Sequence, residues 1–174
     1  MQSIKAGLLL LFFCSLSVSV LAQPKKPQAC TLITNAEIKQ LLGVALEEPT
    51  SNTLAAYCSR KASSKIEAVV QYVDGFTASS ATMLCRSNFD GIPKQLAIKK
   101  KVSEAYTTFK PMPEAGAYAY YLTGESDGYG GVNLVRFQFT VGQYLITFDT
   151  KGIDMPSVIA KLPEIYKLIK SRLQ

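Results

Sequence analysis

Four cysteines, a glycine-rich acidic loop, a group of tyrosines and a run of lysines are the side chains through which this chain could do chemistry. It contains no His and no Trp. That excludes a Ser-His-Asp or Cys-His centre, a zinc site built on imidazole and the commonest general base at neutral pH. Cys14 sits inside an apolar N-terminal run, leaving Cys30, Cys58 and Cys85. Of the three ways to pair them, Cys30 with Cys58 is preferred, because that bond would clamp the start of the first helix to the first strand. Closing such a loop stabilises by roughly 3.5 kcal/mol in the chain-entropy model. Cys85 then stays reduced. Grouped with Ala81 and Leu84 on one helical face, it reads as a small buried hydrophobe. A nucleophilic role would need an activating base or a helix N-terminus, and Cys85 has neither.

The remaining candidates are binding groups. The loop Gly124, Glu125, Ser126, Asp127, Gly128, Tyr129, Gly130, Gly131 offers some oxygen ligands for calcium. It lacks the alternating acids and the closing bidentate Glu of a dedicated site, so it reads as a mobile hairpin loop and no metal is expected. In a strand, Tyr118 and Tyr120 share one face while Tyr121 takes the other. On an exposed face Tyr118, Tyr120 and the loop residue Tyr129 would suit a sugar or a protein partner. Lys94, Lys99, Lys100, Lys101 and Lys110 concentrate positive charge in a chain of net charge +6. With only four Arg in the chain, nucleic acid is not expected as the partner; anionic lipid, polysaccharide or an acidic protein remain. No carboxylate pair has acid–base spacing, and no phosphate-cradling loop occurs, so neither a cofactor nor enzymatic activity is expected.

At 174 residues, 48% hydrophobic and 18% charged, the chain has the composition of one globular domain. Lys5, the uncharged run Ala6 to Ala22 and the polar stretch that follows have the three-part layout of a secretory signal peptide, with Val20 and Ala22 suited to the positions before cleavage. Residues 1–22 are therefore expected to be removed, residues 23–29 to form a flexible lead-in, and residues 30–174 to fold as one exported domain without a stable membrane anchor.

Within that domain, Thr34 with Glu37 predicts a capping box, Ile33 and Ile38 a hydrophobic staple, and Gly43 a left-handed end to the first helix, which would bury Ile38, Leu41 and Leu42. Leu54–Arg60 and Lys65–Val73 read as an antiparallel pair, with Ile66, Ala68, Val70 and Tyr72 on one face. A helix over Ala78–Asn88, capped by Thr77 or Ser79, is expected to stop at Gly91-Ile92-Pro93. Ala105–Phe109 is expected to be a strand ending at Lys110 before two prolines. The sharpest local expectation is a hairpin of Val132–Thr140 and Gln143–Asp149 about Val141-Gly142. Its register would set Phe139 opposite Tyr144, Phe137 opposite Ile146 and Val135 opposite Phe148, with Asp149 diagonal to Arg136. Gly116–Leu122 would pair with the first of these strands. A last helix opens at Asp154, and Pro163 is expected to kink it or break it near Lys161.

The resulting order is an α+β domain, an antiparallel sheet flanked by N-terminal, middle and C-terminal helices. The segment ACTLITNAEIKQLLG followed by YCSRK, with the later GAYAYYLTG and terminal hairpin and helix, resembles small exported bacterial proteins and lipoproteins of PsbP-like fold. Cys30, Leu32, Thr34, Glu37, Leu42, Gly43 and Cys58 carry the likeness, which covers about 30 residues well. It supports the Cys30–Cys58 pairing and transfers no catalytic residue. Two departures stand out: no Cys suited to lipidation follows the leader, and Cys85 has no counterpart. The expectation is thus an exported, noncatalytic binding or accessory protein of unknown protein, small-molecule or polysaccharide ligand. The alternatives are an inhibitor or immunity-type protein that covers an acidic partner and, last, an enzyme using Cys85.

Overall fold

The structure, a computed structural model, describes residues 26–49, 55–100, 102, 105–126 and 131–174. The leader 1–22, Lys101 and the central half of the glycine-rich loop, residues 127–130 with Tyr129, lie outside them. Among the described residues the chain forms α1 (Ala29–Leu32), α2 (Asn35–Leu42), β1 (Tyr57–Lys61), β2 (Glu67–Asp74), α3 (Ala78–Lys99), β3 (Tyr106–Pro111), β4 (Tyr120–Ser126), β5 (Val132–Val141), β6 (Tyr144–Lys151) and α4 (Met155–Leu173). The strands make one antiparallel sheet in the order β1-β2-β6-β5-β4-β3. The domain is α+β. None of its described helices is long and apolar enough to cross a membrane.

The N-terminal helix forms for the reasons visible in its sequence. Thr34 Oγ1 accepts from the Glu37 N–H while Glu37 accepts from the Thr34 N–H, and Gly43 ends the helix at φ 70°. Ile33, Ile38 and Leu42 are buried, whereas Leu41 is half-buried. Ahead of it lies the short α1, which has no side-chain cap of its own. It is held from outside. Cys30 is disulfide-bonded to Cys58 in β1, and the buried Arg60 donates through Nη2 to the Cys30 carbonyl at 2.7 Å. The lead-in is tied down as well, since Tyr72 Oη donates to the Pro27 carbonyl and Lys26 pairs with Asp74.

One face of the sheet carries Ala68, Val70, Tyr72, Val135, Phe137, Phe139, Ile146 and Phe148 against α1, α2 and α4. The terminal hairpin lies two residues from its expected register: Phe139 faces Ile146, Phe137 faces Phe148 and Val135 faces Thr150. The turn is Gly142-Gln143, and Gly142 takes φ 55° at the position that a type II′ turn reserves for glycine. An even shift leaves every side chain on its expected face. It also brings Arg136 directly opposite Asp149, where the two were expected to be diagonal. The strand expected over Gly116–Leu122 starts later, at Tyr120, and runs on to Ser126. β3 extends through Pro111 because it is an edge strand, where a missing N–H removes no ladder bond.

The stop expected in α3 and the break offered as one outcome for α4 do not occur. α3 continues for 22 residues through Gly91 and Pro93, and α4 for 19 residues through Pro163 without a break. Tertiary packing overrides the local signal in each case. Ile92 is buried among Tyr106, Tyr120 and Leu122, with Phe89 and Leu96 on the same side of α3, while Leu162, Ile165 and Ile169 of α4 are all inaccessible. Leu84, expected on the buried face, is 44% exposed.

The fold generates two expected outcomes. Cys58→Ala should lower stability by about 3.5 kcal/mol in denaturant titrations, and the unfolded wild-type chain, its leader removed, should show one reactive thiol. A cost below about 1 kcal/mol would mean that Arg60 and packing hold α1 without the bond. Gly43→Ala, whose Cβ meets open space at φ 70°, should cost about 1 kcal/mol. Gly152→Ala should cost several times more, because its Cβ would lie 2.0 Å from the Lys65 carbonyl oxygen. Equal losses on thermal unfolding would contradict the close approach of that loop.

Candidate functional site

Among the described residues, the second face of the sheet is covered by a single helix. α3 starts just beyond β2 and ends beside β3, with Ala81, Cys85 and Ile92 turned inward. Below it lie Tyr120, Gln138, Thr147, Arg136 and Asp149. Asn88 Nδ2 and the Tyr120 hydroxyl both donate to Gln138 Oε1, and Gln138 Nε2 donates to Thr147 Oγ1. Arg136 donates twice to Asp149, at 2.8 and 2.9 Å, and its guanidinium lies 5.1 Å from the centre of the Tyr106 ring. These bonds to Asp149 push the Arg136 pKa further up. Burial raises the Tyr120 phenol and pushes Tyr106 up to about 12. Arg136, Tyr106 and Tyr120 are thus each held in one protonation state near neutrality, which suits a scaffold.

The expected site residues separate. Tyr120 is 2% exposed and packs against Phe89 and Phe109, so no face of its ring is open to a ligand. Tyr118 does not share a strand face with it. It lies in the turn before β4, half-buried between Phe89 and the Arg86 guanidinium. Cys85 is buried, its Sγ donating to the Tyr118 carbonyl, and burial pushes the thiol up to about 11. Lys99 and Lys100 are exposed at the end of α3, and Lys100 takes φ 58° as its left-handed cap. Tyr129 and Lys101 fall outside the described residues.

A different feature stands out, and it was not expected from the sequence. Beyond β2 the chain turns through Asp74-Gly75-Phe76 into the Thr77 cap of α3. Phe76 has φ 63°, a conformation that costs a non-glycine residue about 1–2 kcal/mol, and the residue is 82% exposed. The turn is fixed from both sides. Asp74 Oδ1 accepts from the Phe76 N–H and from Gln143 Nε2, and Gly75 has no room for a Cβ, which would lie 2.7 Å from the Ala81 nitrogen. Phe76 stands beside an open groove of about 750 Å³ lined by Ser80, Met83, Leu84, Ser87 and Asp90. Met83 is 64% exposed, and Val73 of β2 is also largely open. A bulky aromatic directly after Asp-Gly is the one sequence signal that would have pointed here.

No three His, Cys, Asp or Glu side chains gather where they could hold a metal ion among the described residues. Compared with protein-family models, curated proteins and solved structures, the chain matches none.

Asp74 gives the turn a pH dependence. The Phe76 N–H above all, then Lys26 and Gln143, hold its carboxyl below the usual range against the opposing effect of burial. A depressed folded pKa stabilises above the unfolded value of about 4 and loses that contribution as pH falls through the folded value. Amide exchange at Phe76 should therefore accelerate, beyond the intrinsic rate, as pH is lowered from about 4. Asp74→Asn should remove this dependence, and an unchanged profile would show that the carboxylate does not hold the turn.

Proposed function

We propose that the chain is an exported, noncatalytic binding protein, and that its binding surface is the outward side of α3 together with Phe76. The observation that carries the reading is the Phe76 turn: one residue is held in a strained conformation, fixed by Asp74 and the hemmed-in Gly75, and the result is an aromatic side chain in water. Isolated exposed apolar side chains are ordinary on protein surfaces, but neighbouring ones around a groove mark an interaction site. Small-molecule pockets enclose most of their ligand, and this groove is open along one side, which favours an extended surface as the partner. The Cys30–Cys58 bond is compatible with an oxidising, extracytoplasmic compartment. The likeness of the opening segment to exported proteins of PsbP-like fold supports the same reading, as does the closed-off Cys85 thiol.

The test is position-specific photo-cross-linking in the exporting cell. A photoreactive residue at Met83 should capture a protein or lipid partner, and one at the exposed Thr108 of the edge strand should not. Phe76→Gly should reduce the Met83 adduct several-fold while leaving stability unchanged or raising it by up to about 1 kcal/mol, because the strain is relieved. Equal labelling from Thr108, or an adduct indifferent to Phe76→Gly, would overturn the assignment.

A further inference from the structure

The exposed apolar groups of α3 extend well past the groove. Leu84 and Ile98 lie on one side of α3, with the small residues Ser80, Ser87 and Gly91 on the same side in steps of three and four through Leu84, next to the buried stripe of Ala81, Cys85 and Ile92. Met83 flanks Leu84, and Phe76 stands just before the helix. Met83 and Leu84 are well exposed, and Ile98, like Phe76, is 82% exposed. At 1.5 Å per residue, Ser80 to Ile98 spans about 27 Å along the surface.

Charge is distributed along it unevenly. Between Gly91 and Ser103 the sequence has four lysines and no acid. Lys94 lies one turn before Ile98, and Lys99 and Lys100 follow it. All three are exposed and join no ion pair among the described residues. The acids nearer the start of α3 are neutralised, Asp74 by Lys26 and Asp90 by Arg86. The surface therefore presents three large apolar side chains, Phe76, Met83 and Leu84, around the start of α3 and a fourth, Ile98, near its end, with unpaired cations around Ile98 and no uncompensated anion beside the other three.

Resting on the binding-protein reading above, we propose that the outer face of α3 docks on an anionic lipid surface. Phe76, Met83, Leu84 and Ile98 enter the boundary between headgroups and acyl chains, and Lys94, Lys99 and Lys100 lie against the phosphates. Amphipathic helices lie in such an interface with the apolar side down and lysines at headgroup level. The attachment is reversible and peripheral.

The experiment uses the natural mature protein, its N-terminus first read by mass spectrometry, in co-sedimentation with vesicles of phosphatidylglycerol and phosphatidylcholine in equal parts or of phosphatidylcholine alone. Binding should require phosphatidylglycerol and weaken in high salt. Replacing Lys94, Lys99 and Lys100 together by Gln should lower affinity about 100-fold, near fivefold for each charge. Met83→Ser with Ile98→Ser should lower it at least tenfold. These side chains are exposed, so unfolding temperatures serve as the folding control. The lipid proposal is overturned by absence of binding to phosphatidylglycerol vesicles, or by binding indifferent to the serine pair. If vesicles are ignored while Met83 still cross-links to a protein, an acidic polypeptide takes the place of lipid and the binding-protein reading stands. If neither vesicle binding nor a Met83 adduct is seen, both fall.

Discussion

Everything in this domain follows from the need to cover both faces of one six-stranded sheet. Six strands at about 4.8 Å spacing are roughly twice as wide as the 10–12 Å cross-section of a helix. On the first face α1, α2 and α4 together meet that width, and the residues beneath them are almost purely apolar. On the second face α3 is alone among the described residues. It cannot cover the sheet, so the residues on that side change character from one end to the other. Under α3 lie Tyr106, Tyr120 and Leu122, and further along Gln138, Thr147 and the Arg136–Asp149 pair. Toward β1 the surface is mixed, with Ser59 and Lys61 both paired to Glu67 and with Tyr57 and Val73 exposed.

That asymmetry explains where the chemistry-bearing residues came to rest. Tyrosines close in sequence suggested a ligand platform, yet a lone helix on a mixed surface needs large side chains with polar tips to fill its interface, and Tyr120 does this with its hydroxyl on Gln138. Cys85 fills the same layer as a small side chain. Because the α3 interface also contains a charged pair and an amide network, its geometry is specified by directional bonds as well as by packing. The helix is thereby fixed in orientation, and with it the side chains on its opposite side.

The parts of the fold legible in the sequence were those decided locally. The capping box of Thr34 and Glu37, the alternation of Ala68, Val70 and Tyr72, and the core faces of β5 and β6 each depend on a few adjacent residues, and each was read correctly. The hairpin register slipped by two because alternation has a period of two and is blind to an even shift, so only the backbone demand of Gly142 could fix it. The lengths of α3 and α4 were misread because Gly91, Pro93 and Pro163 are local stop signals, while the contacts that overrule them come from residues distant in the chain. The Phe76 turn was missed for a related reason. The strand was expected to end at Val73, and nothing in the sequence says that Gly75 is hemmed in by Ala81 or that Asp74 restrains the next residue.

A helix selected only to cover a sheet would carry polar residues on its far side, since nothing there repays apolar exposure. The outer face of α3 does not conform. Ser80, Ser87 and Gly91 keep it low in relief, Leu84, Met83 and Ile98 keep it apolar, and the lysines cluster only toward its end. The same face begins at a residue whose backbone is strained, in a domain whose other helices place their large apolar residues inward. Strain, apolar exposure and unpaired charge each occur singly on many proteins without consequence. Here they coincide on one element, and among the described residues that element is the only helix on its side of the sheet. α3 is tied to the layer beneath it by the Asn88–Gln138 and Cys85–Tyr118 hydrogen bonds, so contacts on its inner side set the direction in which its outer side chains point.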